Sequence, residues 1–198
     1  ERYNLAAKLF DGRNSYSKTD PDATFMHMKE DHMRNSQLKP GYNLQIGVEN
    51  EYIIAAETYS HRNDQLTLVP FLNHIEEQLK VRHKDIVADA GYESEENYNY
   101  LAQNNQTAYI KPSNYEQQKK RNFKTKIGRR ENMTYCQEGD YYLCHNKKKL
   151  TYSHDKKRTS ASGYETQVKV YECEDCSDCK VKSSCTRAKG NRKMEVAT

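Results

Sequence analysis

Two groups of residues in this chain carry the donors that metal chemistry needs. The first is a single carboxylate, Asp89, at the end of the apolar run Ile86, Val87, Ala88. A short strand that stops at an Asp and turns at Gly91 puts that acid at a strand's carboxyl end, where open α/β sheets collect their chemistry. Carboxylate oxygens there suit Mg²⁺ or Mn²⁺. The structural alternative is an Asx-turn, in which Asp89 only bonds the backbone two residues on. The second group is Cys173, Cys176, Cys179 and Cys185, spaced Cys-x2-Cys-x2-Cys-x5-Cys. Thiolates at this spacing on loops can surround one tetrahedral Zn²⁺, with Cys136, Cys144 and His145 as alternative ligands. The same spacing could hold an iron–sulfur cluster. Reduced thiols that merely fill loops, or disulfides, are the bland readings. His27, His32, His61, His74 and His83 are scattered, which fits packing and surface roles.

A third group is basic. Lys119, Lys120, Arg121, Lys124, Lys126, Arg129 and Arg130 lie close together, and further clusters follow at 147–149 and 156–158. Tyr109, Tyr115, Tyr135, Tyr141, Tyr142 and Tyr152 interleave with them, a composition suited to phosphate contact and base stacking. Residues 1–100 carry 11 basic and 17 acidic groups, whereas residues 101–198 carry 21 and 11. An acidic front and a basic rear predict a fold- or metal-centred half joined to a half that binds a polyanion. The alternative is that the lysines only solvate a surface. No groove-reading helix is evident.

The elements that must position these groups are short. At 198 residues the chain has room for one ordinary domain with a small appendage, but only 35% is hydrophobic, so its core is lean. Sixteen tyrosines and no tryptophan fill the aromatic positions, packing well while keeping a polar tip. The chain opens on Glu1 rather than Met and reads as a piece of a longer protein. No apolar run approaches membrane-spanning length and no signal peptide is visible, so no membrane partner is expected.

Residues 1–10 have helical spacing. Residues 19–22 form a turn, in which Asp20 and Asp22 favour the bend and Pro21 fixes φ; residues 25–28 form a short strand and 31–38 a polar connection. Residues 42–48 alternate, so Leu44, Ile46 and Val48 are expected on the buried side of a half-buried strand. Residues 52–59 return as its hairpin partner. Leu68, Leu72, Ile75 and Leu79 mark one helix face. Asn63 or Asp64 can cap that helix, and Pro70 distorts its first turn or delays its start. After the Asp89 strand, Ser94 caps a helix through Gln103, with Glu95 and Glu96 in its first turn. Residues 107–111 form a strand stopped by Pro112. Beyond it come a small hairpin around residues 138–140 and a strand at 167–171.

The motifs taken together resemble a DDE transposase of bacterial insertion sequences, nearest to the IS1182-like group. The resemblance rests on residues 19–28 (TDPDATFMHM), 39–49 (KPGYNLQIGVE), 52–60, 64–80, 85–98 (DIVADAGYESEENY), 109–112 (YIKP), 130–135 (RENMTY) and the cysteine cluster. It covers nearly the whole chain. It implies an α/β fold: a partial ribonuclease-H-like core, a mixed sheet with helices, in residues 1–112, and an insertion in 113–198, a basic, cysteine-rich segment that the thiol spacing reads as zinc-stabilised.

The resemblance further implies metal-dependent DNA strand cleavage and transfer, with Asp89 as the second Asp of the catalytic triad and Mg²⁺ or Mn²⁺ as cofactor. It implies DNA as partner, self-association of the full-length enzyme, and a cytoplasmic setting, where disulfides are disfavoured. The other two triad acids do not transfer. Asp11-Gly12-Arg13 shares only Asp-Gly with the family's first motif, and Glu195 lacks the glycine-rich motif that follows the family's Glu. These acids are expected outside this chain, which alone would then be inactive. The readings from other classes are a non-catalytic, zinc-stabilised nucleic-acid-binding module (a decayed transposase remnant) and an iron–sulfur protein.

Overall fold

The computed structural model describes residues 2–10, 15–28, 33 and 35–197. The chain divides into two units, Glu1–Ser113 and Asn114–Thr198. In the first, helix α1 (Arg2–Phe10) follows the helical spacing of the opening residues. Strand β1 (Thr24–His27) pairs antiparallel with β2 (Leu38–Gly41). The second of these was not expected, since Pro40 sits in a polar stretch. β3 (Asn43–Glu49) and β4 (Tyr52–Tyr59) form the expected hairpin, turned at Asn50 and Glu51, both at positive φ. A 3-10 turn at Asp64–Leu66 leads into α2 (Leu68–Leu79). β5 (Asp85–Ala88) then runs parallel to β6 (Thr107–Ile110). Their crossover is a second 3-10 turn, Ala90–Tyr92, followed by α3 (Glu95–Gln103).

Two expectations for this unit need correction. The helix starts late, as Pro70 requires, and neither Asn63 nor Asp64 caps it. Pro70 sits in its first turn, where a missing N–H costs nothing, and the N-cap position is Thr67, whose hydroxyl donates back to Asp64 O at 2.9 Å. The face of β3 is also reversed. Leu44, Ile46 and Val48 are all about half exposed or more, while Gln45 is 2% exposed. Gly47 explains part of this: a β-carbon there would lie 3.2 Å from Ile75 and 3.5 Å from Phe71, so α2 presses on the face without side-chain bulk. Gln45 joins a polar network at the end of the same face. The core is correspondingly small. Leu68, Ile86, Leu101 and Ile110 form one cluster between α2, α3 and the parallel pair, and Ala55, Phe71 and Ile75 form another between α2 and β4.

The second unit begins with two single-turn helices, α4 (Tyr115–Gln118) and α5 (Arg121–Lys124). β7 (Thr134–Cys136) and β8 (Tyr141–Leu143) make the expected small hairpin. β9 (Lys149–Thr159), β10 (Glu165–Cys173) and, after the one-turn helix α6 (Lys182–Cys185), β11 (Lys193–Ala197) complete an antiparallel sheet of order β11-β10-β9-β8-β7. β9 is invisible to periodicity because Leu150 is its one buried side chain. Met133, Leu150, Tyr171, Cys173, Cys176 and Met194 form this unit's core.

Candidate functional site

Asp89 ends β5 and its turn is built locally. Its Oδ1 accepts the Gly91 N–H at 2.7 Å, so the Asx-turn is present, and Ser94 Oγ accepts the Asn97 N–H at 3.1 Å to cap α3 as expected. The bond uses one carboxylate oxygen; Oδ2 has no hydrogen-bond partner among the described residues. A second carboxylate stands beside it. A β-carbon on Gly91 would lie 2.7 Å from Asp64 Oδ2 and 2.9 Å from Asp89 Oδ1, so the two acids flank the bare glycine.

Hydrogen bonds from neighbouring elements hold this pair in place. Asp64 Oδ1 accepts Asn43 Nδ2 at 2.7 Å and Gln45 Nε2 at 3.4 Å. The Tyr92 hydroxyl donates to Gln45 Oε1. Burial, then the charges of Asp64 and Asp89, pushes the Tyr92 phenol up to about 12, so it remains a donor. Asn97, 1% exposed, donates to Gln65 O at 3.0 Å and to Tyr92 O at 2.7 Å. One side chain thus ties together the two 3-10 turns that carry the acids. Sequence reading missed Asp64 because a lone Asp before a helix looks like a cap; nothing local in the sequence reports the Asn43 and Gln45 donors.

A groove of about 380 Å³ runs back from Asp89 between β3 and β5, lined on the α2 side by Leu68, Phe71 and Ile75. Both strands that border it lack a partner on that side: among the described residues β3 pairs only with β4, and β5 only with β6. Gln45 and Tyr92 bridge the groove near Asp89, and His83 Nε2 meets Glu49 Oε2 at 3.3 Å at the other end.

The carboxylates of Asp20, in the 19–22 turn, and of Glu195 are engaged elsewhere. Asp20 accepts the Tyr42 hydroxyl on both oxygens, at 3.0 and 2.9 Å, and the Asp22 N–H at 3.2 Å. Glu195, on β11, pairs with Lys156 at 2.9 Å and Arg158 at 3.5 Å, and the Lys156 bond first of all holds its carboxyl below the usual range. Asp11, Gly12 and Arg13, like His32, lie outside the described residues.

In the second unit Cys144, Cys173, Cys176, Cys179 and Cys185 ring a cavity of about 20 Å³, with His145 also on its wall. Cys136 is elsewhere, on β7, its thiol lowered chiefly by a hydrogen bond from Tyr141. Burial and then a hydrogen bond with the Cys176 thiol push the Cys173 thiol up to about 12. Among the described residues no three His, Cys, Asp or Glu side chains converge in a metal-holding arrangement. Of the basic group, Lys120, Arg121, Lys124, Lys126 and Arg130 are exposed. Lys119 lies 4.1 Å over the Tyr115 ring and pairs with Glu116 at 3.4 Å. Arg129 stacks 4.0 Å over the ring of buried Phe123, a packing role. No helix among the described residues is long and apolar enough to cross a membrane.

Comparison with curated proteins and with solved structures returns no match. The family comparison does: residues 13–173 match the transposase DDE domain. The chain therefore belongs to the transposase DDE domain family.

Proposed function

We propose that this chain contributes part of the catalytic core of a DDE transposase, of the IS1182-like group, and that Asp89 is one of the acids holding the divalent cations for DNA strand cleavage and transfer. The observation that carries this reading is the pairing of Asp89 with Asp64 around Gly91 at the carboxyl end of a parallel strand. The donor set is all oxygen, which fits Mg²⁺ or Mn²⁺ rather than a softer ion. When bound, such cations activate the attacking water or 3′-hydroxyl and stabilise the leaving oxygen of an in-line displacement. The residues of this chain do the positioning: Gly91 N–H orients Asp89, and Asn43 and Gln45 orient Asp64.

Two carboxylates do not complete a two-metal site. The open groove between β3 and β5 supports a core completed by a further strand, and we assign the remaining triad acids to sequence outside these 198 residues. The exposed lysines and arginines of 120–130 contact the DNA backbone, the cysteine cluster of the second unit holds Zn²⁺, and the assembled enzyme self-associates on its DNA in the cytoplasm. The test is nicking of an end-bearing DNA duplex with Mn²⁺ by a longer transposase containing this chain. Asp89→Asn, which removes a charge at almost constant volume, is expected to abolish nicking while leaving the circular dichroism spectrum unchanged. Undiminished cutting by Asp89→Asn would refute the assignment. The reading of a non-catalytic nucleic-acid-binding module would gain instead if the unaltered protein bound the duplex without nicking it.

A further inference from the structure

The five thiols around the cavity of the second unit are not equivalent. Cys173 is the last residue of β10, opposite Leu150, and is 2% exposed in a buried cluster with Met133, Leu150, Met194 and Cys176, whose thiol bonds its own. The Cys173 thiol donates to Asp175 O at 3.7 Å. It is a core residue on a paired strand. The other four sit on turns or loop ends. Cys144 opens the turn from β8 to β9, donating its N–H to Lys148 O at 3.0 Å and accepting from Lys147 N at 2.8 Å. Cys176 and Cys179 lie in the loop after β10, where Asn191 Oδ1 takes the Cys176 N–H at 2.9 Å and Cys179 O takes the Lys182 N–H at 3.0 Å. Cys185 closes α6. Tetrahedral zinc is held by thiolates from separate segments, and these four line one cavity without yet converging in a metal-holding arrangement. A cysteine sulfur swings on a single rotatable bond, so thiols that ring a cavity from turns can close on an ion by changing rotamer.

A second observation points to a charged occupant. Arg192 lines the same cavity, and its Nε is buried without a hydrogen-bond partner among the described residues, while its Nη2 donates to Gly128 O at 2.9 Å. A buried guanidinium N–H with no acceptor is costly. A metal-bound thiolate is an acceptor, and four thiolates around one divalent cation carry excess negative charge that Arg192 offsets. Asn146 Nδ2 faces Cys179 Sγ at 4.0 Å in the same sense. Gly128 packs directly on Cys185: a β-carbon there would lie 2.2 Å from the Cys185 carbonyl oxygen, so the backbone seals that side.

We propose that Cys144, Cys176, Cys179 and Cys185 hold one tetrahedral Zn²⁺, that Arg192 donates to its thiolates from outside the ligand set, and that Cys173 is a structural thiol. This rests on the zinc reading above and replaces Cys173, favoured by spacing, with Cys144.

The test is metal content and Co²⁺ substitution on the 198-residue chain and its variants. The wild type is expected to carry about one Zn²⁺ and, with Co²⁺, to show the visible bands of a tetrahedral four-thiolate site. Cys173→Ala retains the metal and the spectrum. Cys144→Ser loses stoichiometric zinc, and Arg192→Leu binds about 10-fold more weakly. Because Cys144→Ser could fail to fold, Cys144→His provides the control: the ion stays bound, and the thiolate-to-cobalt charge transfer weakens to a three-sulfur pattern. Cys173→Ala stripped of metal, or a Cys144→His spectrum unchanged from wild type, overturns this ligand set and leaves zinc binding itself intact. A metal-free wild type, or one that takes up iron instead, overturns the zinc reading together with the ligand set. None of these outcomes bears on Asp89.

Discussion

At the scale of single residues, Gly91 decides the geometry of the acidic pair. Its missing side chain lets Asp64 Oδ2 and Asp89 Oδ1 approach the same point from two sides. Both atoms are ends of side chains, so an added methyl group would push them apart rather than break the backbone. Gly91→Ala is therefore expected to fold normally, with a melting temperature within a few degrees of wild type, but to bind Mn²⁺ at least several-fold more weakly by electron paramagnetic resonance titration. Equal Mn²⁺ binding would mean that the pair does not act as a unit.

At the scale of elements, the β3–β4 hairpin turns an apolar face outward. Leu44, Ile46, Val48 and Ile53 are exposed on it, and Val87, on β5, is 81% exposed. Unpaired strand edges carrying apolar side chains promote association between chains. Ile46→Lys should leave stability within about 0.5 kcal/mol of wild type, because a half-exposed side chain has little burial to lose. It should also shift the chain toward monomer in sedimentation velocity; self-association that survives this change would locate the interface elsewhere. The five-stranded sheet carries a different device. The hydroxyls of Tyr171 and Tyr135 both donate to Asp140 Oδ1, at 2.6 and 2.8 Å, and these bonds, Tyr171 first, hold the Asp140 carboxyl below its usual range. A depressed carboxylate contributes stability that is present above its unfolded value, about pH 4, and lost as pH falls through the folded one. Acid titration should thus destabilise the second unit below about pH 4, and Asp140→Asn should lower its neutral-pH stability and flatten that dependence. An unaltered acid limb in Asp140→Asn would remove Asp140 from the account.

At the scale of the whole molecule, the chain has an acidic front and a basic rear. Lysines and arginines on phosphates displace condensed counterions, so affinity falls with salt at a slope set by how many phosphates they neutralise. The triple change Lys120→Ala, Arg121→Ala, Lys124→Ala should weaken binding of this chain to duplex DNA at low salt. It should also make the slope of log K against log salt shallower by about 0.9 for each phosphate that is no longer neutralised. A slope identical to wild type would show that these exposed cations face away from DNA.

What the sequence determined by itself was local. A capping serine, a glycine turn after Asp89, a helix whose start is set by Pro70 in its first turn and the order of elements around β5 follow from steric and hydrogen-bonding preferences over a few residues, and the structure has them. The family likewise could be read from ordered motifs. What only the tertiary structure decided depends on which distant surfaces meet. Alternation in β3 correctly marked a strand but assigned the wrong face, because α2 packs on Gly47 and the polar network claims Gln45. β9 stayed hidden since its exposed polar side chains obey no burial period and its hydrogen bonds come from β8 and β10. Asp64 and Asp89 flank Gly91, and Cys144 and Cys185 line one cavity, only after folding, since no spacing rule records which distant turns become neighbours.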